Sequence, residues 1–175
     1  MFAIRAGHPR DATMLAQLGA ETFVDAYAAQ VPADGLAEFV ANAFSPGVQA
    51  SELADPKGAF LIAESDGAPI AYAYVREFDE QSGRVLHLAR IYARSNWIGR
   101  GVGRGLMEAC LQEATRRGAG AIRLTVWTQN ARAIAFYGRW GFVEVGHESF
   151  MLGSEQQTDL VMQRPVARSQ PTAAG

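Results

Sequence analysis

The 175-residue chain is 49% apolar and 19% charged, the make-up of one globular domain with a real core rather than of a disordered or membrane-spanning protein. A formal net charge of −2 gives no bulk field toward nucleic acid or an anionic membrane, and neither is an expected partner. Cys110 is the sole cysteine, so no internal disulfide is possible; no apolar run is long enough to cross a bilayer and Met1 to Asp11 lacks a signal-like core, which makes a cytoplasmic location the expectation.

In chain order, Phe2 to Ala6 reads as an opening strand. Gly7-His8-Pro9-Arg10-Asp11 predicts a helix start, with Pro9 at the first helical position and Asp11 in the first turn. Leu15, Leu18, Thr22, Phe23 and Ala26 carry that helix to about Ala29. A second helix is predicted from Ala33 to Phe44, and a weaker helical turn from Val48 to Leu53. Ala59 to Ser65 and Pro69 to Phe78 are apolar runs joined by Asp66-Gly67, a hairpin signal, and Val85 to Ala93 is a further strand. Val102, Leu106, Cys110 and Ala114 make one face of a helix ending at Gly118. The strand Ala121 to Trp127, a helix Asn130 to Trp140 closed by Gly141, and a last pair, Phe142 to Phe150 with Asp159 to Gln163, complete one α/β domain over residues 1–165. Residues 166–175, small, polar and proline-bearing, are expected to be a disordered tail.

The glycine-rich turn Gly99-Arg100-Gly101-Val102-Gly103 carries the first chemical signal. Glycine lets a ligand approach the backbone closely, and the first amides of the following helix lack intrahelical partners at the positive end of its dipole. Such a turn suits phosphate oxygens, with Arg100 and Arg104 flanking it. No Gly-Lys-Ser/Thr follows, which removes a P-loop. A dinucleotide fingerprint needs a third glycine at Arg104 or at Leu106, and neither is glycine. The pyrophosphate of coenzyme A remains, beside the plainer reading of a flexible connector.

Ile98-Gly99-Arg100-Gly101-Val102-Gly103 after the strand Leu88-Ala89-Arg90-Ile91-Tyr92-Ala93 resembles the acetyl-CoA loop of the Gcn5-related N-acetyltransferases (GNAT). Ile98 stands where that family usually has arginine or glutamine. A second block, Asn130, Ala133, Phe136-Tyr137, Gly141-Phe142 and Gly146, is similar to the same family. Thr22-Phe23, Tyr27, Val126-Trp127, His147, Phe150, Gly153, Gln156, Asp159 and Met162 resemble its PaiA-type polyamine acetyltransferases, although Thr128 stands where that branch has an acid.

The resemblance implies a single-domain GNAT fold, a mixed and mostly antiparallel sheet of about seven strands with about four helices. It implies acetyl-CoA as co-substrate, no metal, a primary-amine acceptor and a homodimer as a common assembly. Tyr137 would protonate the leaving thiolate, Asn130 and Ala133 would contact the pantetheine arm, and the backbone of Ile91, Tyr92 and Ala93 would pair with its amides. Gly99, Arg100, Gly101, Val102, Gly103 and Arg104 would hold the pyrophosphate. Tyr137 also reads as a core aromatic, and Asn130 as a helix cap. No acid lies between Leu86 and Ala93, so the base is left among His87, Glu77, Glu144 and water. Glu21, Asp25, Asp34 and Glu38 read either as attractants for a polycation or as a solvated helix face, and Cys110 as buried core. Polyamines, other small amines and protein amino groups all stay open as acceptors. A non-catalytic acetyl-CoA-binding regulator is the alternative of another class, and a DNA-binding regulator a third.

Overall fold

The computed structural model describes residues 1–29, 32–81, 83–152 and 155–167. Among these residues seven strands form one sheet: β1 (Ala3–Ala6), β2 (Gly58–Ser65), β3 (Ala68–Glu80), β4 (Gly83–Ala93), β5 (Ala121–Trp127), β6 (Val143–Leu152) and β7 (Glu155–Pro165). Their order is β1-β2-β3-β4-β5-β7-β6, with every pair antiparallel except β4–β5. Among the described residues the five α-helices are α1 (Ala12–Tyr27), α2 (Ala33–Ala43), α3 (Pro46–Ala54), α4 (Val102–Arg116) and α5 (Ala131–Arg139). No described helix is long and apolar enough to cross a membrane.

Each element follows from local chemistry, and three depart from the sequence expectation. Pro9 opens a separate 3-10 turn, Pro9–Asp11, instead of α1. The Asp11 carboxylate accepts the His8 N–H at 2.7 Å and the Arg5 guanidinium at 2.7 Å, which fixes this tight turn before the α-helix begins. The segment read as a weak helical turn is the full helix α3. Ser45 caps it, its Oγ accepting the Val48 N–H at 3.2 Å, and Pro46 occupies its first turn. The strand ends at Pro165, and Val166 beyond it donates its N–H to Gly120 O at 3.0 Å, so the first residue of the expected tail is tied to the domain. Residues 168–175 and Gly153 lie outside the described residues. Asp66 and Gly67 both take positive φ, 51° and 76°, the backbone that closes the β2–β3 hairpin.

Two layers of side chains flank the sheet. On one face Leu86, Leu88, Ile122 and Leu124 pack with Val102, Leu106, Met107 and Cys110 of α4, and with Ile134, Phe136 and Tyr137 of α5. On the other, Phe60, Ile62, Tyr72 and Tyr74 pack under Leu15 and Leu18 of α1, and Phe23, Leu36 and Phe44 form a satellite cluster with Tyr27 and Tyr92. Gly19 permits this approach: a Cβ there would stand 2.4 Å from the Phe44 ring.

Candidate active site

The site begins where two strands part. β4 and β5 pair only through Val85–Ala121, Leu86–Ile122 and His87–Arg123. β5 then stays with β7 as far as Trp127–Asp159, while β4 continues to Ala93 against β3 alone. A wedge therefore opens between Leu88–Ala93 and Leu124–Trp127. Its β4 wall is turned by a bulge: Val75 pairs with Leu88 and Tyr74 with Arg90, leaving Ala89 as the extra residue. The bulge reverses the alternation, so Leu86 and Leu88 face α4 before it and Ile91 and Ala93 face α4 after it.

At the α4 end of the wedge, Gly99 and Gly101 have φ of 81° and 83°, and nothing lies within 4 Å of where either Cβ would stand. Gly101 is the N-cap of α4, and no side chain caps it. The first helical bond runs from Gly105 N–H to Gly101 O, so the amides of Val102, Gly103 and Arg104 have no acceptor within the helix. Gly103 is different: its backbone is helical, and a Cβ would meet Phe136 at an ordinary 3.7 Å. Ile98, exposed, ends the preceding turn. Arg100 lies over the Trp97 ring, and Arg104 pairs with Glu108 at 2.9 Å along the helix surface.

The α5 end supplies Asn130, whose Oδ1 accepts the Ala133 N–H at 3.1 Å and caps the helix. Tyr27 stands close to this side-chain amide and to Tyr92. Burial pushes the Tyr27 phenol up, Asn130 and Tyr92 oppose the shift, and the Asp159 carboxylate adds to it. Tyr137 is buried, 5.5 Å from the Phe136 ring and 5.8 Å from Phe142. Burial raises its phenol well above the ordinary range, with smaller contributions from Tyr27 and Cys110. The wedge thus brings together Tyr137, Asn130, Tyr92 and Tyr27. The sequence reading used only the backbone of Tyr92 and gave Tyr27 no role. Their common signal was an aromatic at the end of each of two elements, which packing explains equally well.

Other residues from the sequence reading lie elsewhere. Glu77 is tied to Arg117 at 3.2 Å and to Arg84 at 3.7 Å, in register with Leu86 before the strands part. Glu144 is exposed on β6, 3.7 Å from His147. His87 occupies the last paired rung, edge-on to Phe78 at 6.0 Å; burial lowers its pKa, Glu148 opposes this and Arg123 adds to it. Glu21 pairs with Arg94 at 2.5 Å, and Asp25 and Asp34 are exposed, a solvated helix face. The acid beside Tyr27 comes instead from β7: it is Asp159, with Glu148 of β6 directly opposite it in the strand pair. Burial, then Glu148, raises the Asp159 pKa. Cys110 is fully buried and its thiol is pushed up to about 12, an inert core residue.

The chain matches the family model described as Acetyltransferase (GNAT) family over residues 20–142. It is 34% identical over 154 residues to an uncharacterised N-acetyltransferase of Mycobacterium bovis, spanning 88% of this chain and 97% of that one. A Lactobacillus delbrueckii N-acetyltransferase is 27% identical over 148 residues, 82% of this chain and 86% of the relative. Among solved structures, the PaiA N-acetyltransferase of Thermoplasma acidophilum in complex with coenzyme A superposes with a TM-score of 0.79 at 20% identity, over 94% of this chain and 99% of that one. A probable acetyltransferase of Staphylococcus epidermidis gives 0.79 at 15% identity, over 95% and 100%. At such identities these two likenesses concern the fold.

Proposed function

The chain belongs to the acetyltransferase (GNAT) family, and from that premise we propose that it transfers the acetyl group of acetyl-CoA directly to a primary amine. The observation that carries the reading is the wedge, with uncapped helix amides at one end and a buried phenol at the other. Gly99, Gly101 and the amides of Val102, Gly103 and Arg104 hold the pyrophosphate; Arg100 adds charge. The complex of the PaiA neighbour with coenzyme A supports that donor. The edge of Ile91, Tyr92 and Ala93 turned away from β3 aligns the pantetheine arm, and Asn130 with Ala133 meets it from α5.

Transfer forms a C–N bond and breaks a C–S bond, so the amine must lose a proton and the thiolate must gain one. Tyr137 supplies the second proton: burial keeps its phenol neutral, the form an acid needs. In this reading the amine gives its own proton to water, since His87 stands on the last paired rung outside the wedge. A covalent acetyl-enzyme finds no support, because the buried Cys110 thiol is far from ionising.

The acceptor in this reading is a polyamine. Glu148 and Asp159, opposite each other on antiparallel strands, repel unless a cation lies between them. A second ammonium group of the acceptor, close to Tyr27 and Trp127, answers that repulsion. The test mixes the protein with acetyl-CoA and spermidine, small monoamines or lysine peptides, and follows thiol release. Spermidine is expected to turn over best, and Asp159→Asn to raise its KM more than that of a monoamine. Turnover of lysine peptides alone would give a protein acetyltransferase; coenzyme binding with no turnover would give a regulatory binding module.

A further inference from the structure

Arg90 is the first residue after the Ala89 bulge, and its guanidinium is buried, with a side chain only 15% exposed. It donates to Glu52 and to Gln49 Oε1, the latter at 3.3 Å, both on α3. It lies 5.0 Å from the centre of the Tyr74 ring and 5.7 Å from that of Phe44. Gln49, fully buried, donates in turn to Ala43 O at the end of α2, at 2.9 Å. Tyr72 Oη and Glu52 Oε2 are buried beside this pair without hydrogen-bond partners. The cluster is an expensive one: a buried ion pair with two unsatisfied oxygens is no better for stability than an apolar filling of the same volume.

We propose that Arg90 is a positioning residue that pins the register of the β4 bulge, and through it the backbone of Ile91–Ala93. Beyond His87, β3 is the one strand neighbour of β4 among the described residues, so no second strand there fixes the bulge. Losing the bulge, with β4 slipping by one residue against β3 beyond Leu88, would return Arg90 to the phase of Leu86 and Leu88. Its guanidinium would then enter the apolar layer of Val102, Leu106 and Met107 under α4 and give up its partners Glu52 and Gln49 on α3. The charge forbids that register. An apolar residue at position 90 fits either face and leaves the bulge free to close by that one-residue slip. The shift would also exchange the faces of Ile91, Tyr92 and Ala93 and carry the Tyr92 hydroxyl away from Tyr27.

The register claim stands on packing alone; its catalytic consequence rests on the acetyl transfer proposed above. The test replaces the whole pair, Arg90→Met with Glu52→Met, and reads both structure and turnover. The double variant is expected to melt at or above the wild-type temperature. Backbone amide NMR signals of residues 88–93 should double, and kcat should fall about tenfold or more, as for a site misplaced by an ångström or so. Arg90→Lys keeps a charge that cannot enter the α4 layer, so it should keep one set of signals and near-wild-type kcat. Glu52→Gln should do the same, and it serves if the double variant does not fold. A single set of signals with full kcat in the double variant overturns the proposal; so does signal doubling in Arg90→Lys or Glu52→Gln. A wild-type protein that acetylates no amine would remove the proposed reaction, while the NMR comparison would still decide the register.

Discussion

Tyr137 occupies a helix position that packing alone accounts for, between Phe136 and Phe142 and against the α4 layer. Packing and catalysis make separable demands on it. The ring contacts need only the ring, whereas proton donation needs the hydroxyl in its neutral form. Tyr137→Phe should therefore leave the melting temperature and the acetyl-CoA Kd nearly unchanged while lowering kcat by about 10²–10⁴-fold. The raised phenol pKa adds a pH signature: an acid whose pKa lies above the ordinary ~10 stays protonated through the working range. No alkaline loss of kcat centred below pH ~10 should disappear in the Phe variant. Unchanged kcat in Tyr137→Phe, or such a loss that the variant abolishes, would remove Tyr137 as the acid. The residue's dual reading explains why sequence could name it without deciding its role. Tyr27 and Asp159 were harder still, because their meeting depends on α1 reaching the far side of the wedge.

Among the elements, the glycine turn was legible in type and less so in detail. Three alternating glycines read as three equivalent needs, yet only Gly99 and Gly101 take positive φ, and Gly103 is an ordinary helical residue with room for a methyl group. A test at Gly101 must separate backbone strain from charge. Asn tolerates the left-handed backbone about as well as Asp, and it is neutral. Gly101→Asp should weaken acetyl-CoA binding at least about tenfold more than Gly101→Asn, because only the carboxylate opposes an anion at the helix N-terminus. Equal Kd values for the two variants, by titration calorimetry, would place the pyrophosphate elsewhere. The β4 strand shows where element-level reading stops. Straight alternation puts Arg90 in phase with Leu86 and Leu88, and nothing in Leu-His-Leu-Ala-Arg-Ile-Tyr-Ala marks Ala89 as extra. The bulge is visible only through the partners on β3. By contrast, α3 had a local signal in Ser45-Pro46, a cap followed by a first-turn proline, that outweighs its weak apolar pattern.

For the whole molecule, the parting of β4 from β5 is a property of long-range pairing and has no local sequence sign. It requires the sheet to be held firmly at the other end, and α4 is stapled there. Arg117, at the C-cap of α4, donates to the carbonyls of Pro56, Lys57 and Gly58 and pairs with Glu77 and Glu113. Glu113 is the titratable member. Hydrogen bonds from Arg116 and then Arg117 outweigh its burial and lower its pKa from 4.5 to about 2. A carboxylate depressed in the folded state contributes stability above its unfolded value and loses it as pH falls through the folded one. The contribution should be complete above about 4.5 and gone near 2. Arg116 is 67% exposed, so its share is screened, and a total on the order of 2 kcal/mol at neutral pH is the expectation. Urea unfolding of Glu113→Gln should show that deficit near neutrality. The gap to wild type should then narrow steadily as pH falls from about 4.5 toward 2, because the protonated wild-type side chain and the amide become equivalent in charge. A gap that stays constant across that range would mean that Glu113 holds α4 by packing and not by its charge. The staple would then be Arg117 and its backbone carbonyls alone.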